Sequence, residues 1–211
     1  MALVRLSGRA RLKTDVEKIL ISERRGDNGF ELGILPVVFR DDPRTQLALD
    51  IQLPKAFVGE IAIEVTSGSV SVEDTILRGL MVRSMSGSVR VSKTIAERLF
   101  FDSASGDFSF AGDAKQFSAS STSGNLKLKL LNADEQPRKL HSQSVSGAIE
   151  WLMPKFTNLR FTASSTSGKI ESTEKMSGTN GEKVYKNGRG AIDVRAVTVS
   201  GDIRLTRSLD P

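Results

Sequence analysis

Between residues 61 and 110, apolar positions alternate with polar ones, and the parity of that alternation keeps switching. Ile61, Ile63 and Val65 fall on odd numbers, and Val70 and Val72 on even ones. The switch recurs from Leu80 and Val82 to Val89 and Val91, and again from Leu99 and Phe101 to Phe108 and Phe110. Strict alternation is the signature of a strand with one face on a core. A parity switch therefore requires a bend or bulge between two such strands. Each switch is centred on a Ser-Gly pair, most clearly in Ser84-Met85-Ser86-Gly87-Ser88-Val89-Arg90-Val91. Glycine suits a bend that a Cβ would obstruct, and small hydroxyl residues can bond to backbone groups there.

The pairs repeat. Their glycines are Gly68, Gly87, Gly106, Gly124, Gly147, Gly168 and Gly201, with steps of 19, 19, 18, 23, 21 and 33 residues. Two residues after each glycine stand Val70, Val89, Phe108, Leu126, Ile149, Ile170 and Ile203, which predicts a core-facing column. Three after stand Ser71, Arg90, Ser109, Lys127, Glu150, Glu171 and Arg204, which predicts a water-facing one. Four after stand Val72, Val91, Phe110, Leu128, Trp151, Ser172 and Leu205, a second inward column with Ser172 as its exception. A near-fixed period with strand alternation and no helical stripe predicts stacked coils. The expected fold is all-β: a single-stranded parallel β-helix, or solenoid, of about seven Ser-Gly coils. It is right-handed by the general crossover preference.

Stacking in sequence order sets Lys127 beside Glu150 and Glu171 beside Arg204. It also sets Ser172 one coil from Trp151, small because the indole leans over it.

Residues 1–60 lack the clean repeat and read as irregular first coils with an N-terminal cap; residues 61–211 read as the regular coils, one structural domain overall. In the first part, Ser7-Gly8-Arg9-Ala10-Arg11-Leu12 resembles a degenerate copy. Lys18 to Glu23 reads as a strand, Asp27-Asn28-Gly29 as a turn, Phe30-Glu31-Leu32 as a hairpin partner and Gln46 to Leu53 as a further strand. The longest step reflects an insertion at 174–190, read as a protruding mobile arm with a hairpin turn at Asn187-Gly188. Lys183, Tyr185, Lys186 and Arg189 on that arm are the candidate partner contacts. No obvious cap follows Leu205, so the C-terminal end is expected to support a homodimer.

Two stretches, Phe161-Thr-Ala-Ser-Ser-Thr-Ser-Gly-Lys-Ile170 and Val197-Thr-Val-Ser-Gly-Asp-Ile-Arg-Leu205, carry a resemblance. With them the chain, over about residues 45–208, resembles the bacterial "putative adhesin" domain family of unknown function. The resemblance implies a parallel β-helix and a role at the bacterial envelope, and it brings no catalytic residues to carry over.

Composition narrows the chemistry. The 211 residues contain no cysteine, which excludes disulfides and thiolate metal sites. No run of 18 apolar residues marks a transmembrane helix, and Arg5, Arg9 and Arg11 interrupt any secretory signal. The chain on its own thus reads as cytoplasmic, or as envelope-associated if it is a fragment or is anchored by a partner. The net charge of +5 collects after residue 150 without a like-charge block, and reads as a solvated face. His141 is the single histidine and has no marked triad partners. Asp102, Asp107 and Asp113 are the nearest approach to a carboxylate cluster, but they are spread around one coil. Arg25-Gly26-Asp27 matches the integrin tripeptide but reads as an ordinary polar turn. The Ser-Gly pairs lack the Gly-x-Ser-x-Gly pattern of a nucleophile elbow. No phosphate loop or interleaved aromatics point to nucleotides or nucleic acid. The reading is a non-enzymatic scaffold or adhesin-like module with no cofactor or metal, binding an unknown protein or an envelope polymer. Two alternatives are an accessory regulatory domain acting through a partner protein and a polysaccharide-acting β-helix enzyme.

Overall fold

A computed structural model describes the backbone of residues 3–9, 20–26, 29–35 and 46–208, apart from 133–135, 137, 156, 157 and 180; side chains are described, with the same exceptions, from residue 50 to residue 207. No helix occurs among the described residues. The chain divides into two compact units, 1–56 and 57–211.

In the first unit, β2 (Leu20–Gly26) and β3 (Gly29–Leu35) form an antiparallel hairpin with Gly26 opposite Gly29. This is the hairpin the sequence predicts. By contrast, β1 (Leu3–Arg9) pairs antiparallel with β4 (Gln46–Gln52), and Gly8 faces Leu47 in mid-strand. Ser7-Gly8 is therefore not a copy of the later corners, which join parallel strands. The Arg25-Gly26-Asp27 tripeptide falls partly outside the described residues.

The second unit is one curled, predominantly parallel sheet. Its strands are β5 (Glu60–Val65), β6 (Val70–Glu73), β7 (Ile76–Ser86), β8 (Val89–Ser105), β9 (Phe108–Ser121) and β10 (Leu126–Leu130). They continue as β11 (Arg138–Ser144), β12 (Ile149–Pro154), β13 (Leu159–Ser165) and β14 (Ile170–Ser172). The last are β15 (Ser177–Gly178), β16 (Glu182–Lys186), β17 (Ile192–Thr198) and β18 (Ile203–Ser208). Runs before each Ser-Gly pair stack on one another, and so do runs after it. Leu80 lies beside Ile61 and Leu99, and Val89 beside Val70 and Phe108. The predicted inward columns are buried, from Val89 and Phe108 through Leu126, Ile149 and Ile203. The Phe101 and Phe108 rings stack with centroids 4.1 Å apart, joining the run before a corner to the run after it.

From Ser86 onward each corner serine donates its hydroxyl to a carbonyl of the neighbouring unit, as Ser123 does to Ala104 at 3.3 Å, Ser146 to Thr122 at 3.2 Å and Ser167 to Val199 at 3.2 Å. Each corner glycine except Gly68 lies against the glycine carbonyl of the neighbouring unit. A Cβ on Gly124 would sit 1.8 Å from the Gly106 oxygen, and one on Gly201 would sit 2.0 Å from that of Gly147. Only Gly68, Gly87 and Gly106 also have positive φ. Close stacking of backbones, more than the bend itself, is thus the requirement shared from Gly87 onward. In the later corners a hydroxyl three residues earlier accepts the glycine N–H, as Ser144 does from Gly147 at 2.9 Å.

A second bend in each early unit has no repeated residue pattern. Asp74 and Lys93 adopt a φ of 49° there, and Gly112 follows, where a Cβ would lie 2.2 Å from the Thr94 carbonyl oxygen. Lys93 is the extra residue at which the register between β8 and β9 shifts.

Two expectations are corrected. First, the stacking order departs from the chain order. β17 lies between β11 and β13, and β18 between β12 and β14. The last unit, 192–208, is thus inserted between 138–154 and 159–172. Trp151 consequently faces Leu205, and Leu205 separates it from Ser172. Ser172 is half-buried, and its hydroxyl accepts the Glu174 N–H at 3.0 Å. It is small at a rim, not beneath an indole.

Second, the insertion does not protrude. β16 pairs antiparallel with the free edge of β13, so that Tyr185 faces Phe161, and its own hairpin partner is β15. The Asn187-Gly188 turn leads instead from β16 to β17, on either side of β13. Gly188 and Gly190 take positive φ there, and Asn158 Oδ1 accepts the Gly190 N–H at 2.6 Å.

Candidate functional site

The four candidate contacts on the insertion separate into two pairs. Lys183 is half-buried and donates from Nζ to the Ile170 carbonyl at 2.9 Å. Tyr185 is half-buried, packs on the core, and lies under the Arg207 guanidinium, 5.5 Å from the ring centroid. These two close the end of the stack. Lys186 and Arg189 are exposed and present their charge to solvent. The dimer expected through the last strand loses its premise, because β18 is paired on both sides.

The structure also shows polar pairings that the sequence does not mark. Arg207 is buried, donates from Nη2 to the Lys155 carbonyl, and donates its backbone N–H to the Thr173 hydroxyl at 3.0 Å. At the second bend, Asp113 and Arg138 form a buried ion pair joined by Asn132. Neither group sits in a repeated column, so no spacing signal identifies them. Inward-pointing charge in one unit alone is visible only once the units are stacked.

The remaining titratable candidates serve the ladder. Asp102 accepts from Ser120 at 3.0 Å, and Asp107 accepts from the backbone and side chain of Asn125 at 3.0 and 3.1 Å. With Asp113 engaged by Arg138, the three carboxylates have separate partners and do not converge. His141 Nε2 lies 3.5 Å from Gln143 Oε1 on the outward face. A shallow groove of about 540 Å³ runs across the first four units, lined by Glu64, Arg83, Met85, Asp102, Ala104 and Thr122. Arg83 and Glu64 pair across it at 3.2 Å.

The outward columns carry ordered charge. In one, Lys127, Glu150, Arg204 and Glu171 follow on successive strands, and in the other Lys139, Asp193 and Arg160. Both predicted neighbours, Lys127–Glu150 and Glu171–Arg204, hold. Arg204 also lies beside Glu150, which the sequence order does not predict. Its guanidinium is held charged, above the ordinary arginine value, first by the hydrogen bond to Glu171 (2.8 Å) and the Glu171 charge, then by Glu150 and Asp202. Partly exposed apolar side chains, Phe100, Ile95 and Ile76, punctuate the early units.

This combination of Ser-Gly corners on a curled parallel sheet is matched at the level of family. Residues 13–206 match the Toastrack DUF4097 family. The chain belongs to that family. The Toastrack assignment bears out the resemblance to adhesin-like domains of unknown function. A solved structure is also similar, that of a "putative cell adhesion protein" from Clostridium sporogenes ATCC 15579. It shares 14% identity, with 90% of this chain and 77% of that one covered, at a TM-score of 0.40. No curated protein matches the chain.

Proposed function

We propose that this Toastrack chain is a non-enzymatic scaffold or adhesin-like interaction module, and that residues 57–211 form a right-handed parallel β-helix of about seven Ser-Gly coils. The observation that carries this reading is the use made of the polar residues. Serine hydroxyls, Asp102, Asp107 and Asn125 are spent bonding one unit to the next. The outward columns, in contrast, repeat charged groups at the strand spacing, an array suited to a partner with its own repeat. The partner would be an envelope polymer or a protein at the bacterial envelope, with the exposed Lys186 and Arg189 as cationic contacts at the capped end.

Co-sedimentation with purified, insoluble envelope polysaccharide tests the polymer form. Binding that weakens as salt rises, without release of reducing ends, is the expected result. Release of reducing ends that disappears in Asp102→Asn or Asp107→Asn would overturn it in favour of a polysaccharide-acting enzyme. Absence of binding would leave the accessory domain acting through a partner protein as the better reading.

A further inference from the structure

The insertion of 192–208 between two earlier units leaves a slot whose walls belong to different parts of the chain. One wall is formed by β11 and β12, the other by β13 and β14. β17 meets its neighbours over seven residues on each side, from Ile192 to Thr198. The charges on the walls match the inserted unit and oppose each other. Lys139 and Arg160 would meet if the walls closed together, and Asp193 separates them. Glu150 and Glu171 would meet likewise, and Arg204 separates them. Like charges on adjacent strands are destabilising and opposite ones favourable. The slot therefore selects this one segment over closure on itself.

The segment is joined to the rest by a short connection, residues 187–191. It contains two positive-φ glycines, Gly188 at 64° and Gly190 at 73°, and its first three residues are exposed. Short hinges held in unusual conformations favour exchange of an element between identical chains. We propose that the slot accepts residues 192–208 from a second copy of the chain as well as from its own, so that two copies associate by exchanging their last units. The exchanged pair contains the same contacts as the monomer and differs only at the hinge. This proposal rests on strand order and not on the adhesin-like reading.

The 211-residue chain has no cysteine, so paired thiols report the exchange directly. Thr162 and Arg195 face each other across β13 and β17. Thr162→Cys and Arg195→Cys chains would be mixed at high concentration, unfolded and refolded together, and treated with a short bis-thiol cross-linker. A covalent dimer in the mixture, at several times the yield from either variant alone, is expected. Deleting Arg189 and Gly190, which shortens the hinge, should raise that yield further. The doubly substituted chain should close on itself when dilute. No excess of mixed dimer, alongside internal closure of the double variant, overturns exchange. Failure of the double variant to close overturns the strand placement on which exchange depends.

Discussion

At the scale of single residues, the corner glycines are set by what lies beneath them. Gly124 has no positive φ, yet its Cβ would meet the Gly106 carbonyl at 1.8 Å, and backbone cannot yield as a side chain can. Gly124→Ala should therefore cost at least about 3 kcal/mol, the upper end of overpacking. Gly181→Ala, whose nearest contact is 3.7 Å away, should change stability by less than about 0.5 kcal/mol. Chemical denaturation of the two variants checks the contrast. Trp151 is the largest fully buried side chain; it meets Phe117 edge-on at 5.6 Å and donates its indole N–H to Ser142 at 2.9 Å. Trp151→Ala should cost about 3–5 kcal/mol. Ser142→Ala, which strands a buried donor, should cost about 1–3 kcal/mol. Native tryptophan emission should be blue-shifted and resist quenching. Red-shifted, freely quenched emission would instead place the ring outside.

At the scale of elements, charge and capping decide which strand lies where. Arg204→Glu would put carboxylates on three successive strands. It should lower the thermal midpoint, and added salt should shrink the loss by screening the repulsion. Tyr185 closes the core at the β13 end and sits beneath a buried guanidinium. Tyr185→Ala should cost about 2 kcal/mol, part packing and part cation–π contact. A variant as stable as the parent would show that the insertion rests loosely on the stack. The columns were legible in the sequence because alternation and the Ser-Gly corner fix which residues point inward. Stacking order was not, since every unit offers the same corner and any unit can register on any other. Only the charges hinted at it: Glu150 and Glu171 are a poor pair, and Arg204 mends both. The segment 174–190 departs from the protruding arm that its sequence predicts for a related reason. Asn187-Gly188 has the composition of a hairpin turn, but the strand that β16 joins, β13, comes earlier in the chain. Of the four candidate contacts, Lys186 and Arg189 lie exposed on the surface. The structural duties of Lys183 and Tyr185 depend on long-range contacts that no local pattern encodes.

At the scale of the whole second unit, the inserted segment changes what the loss of the chain's end means. In a stack built in chain order, removing the last unit exposes one new edge. Here a chain ending at residue 190 should lose part of its amide-exchange protection across 159–165, where β16 still covers the other edge, and also at 138–144, while residues 89–130 remain protected. Unchanged protection of 159–165 would mean that it restacks directly on 138–144. The same geometry bears on biosynthesis. The ribosome delivers Ser172 before Ser208, and at about 5–20 residues per second roughly 2–7 s separate them. Through that interval the 159–172 segment emerges beside a partner of the right shape, 138–154, that it must not keep. The repulsion of Lys139 by Arg160 and of Glu150 by Glu171 then acts as a timing device. It holds a place open during synthesis until the residues that belong there arrive.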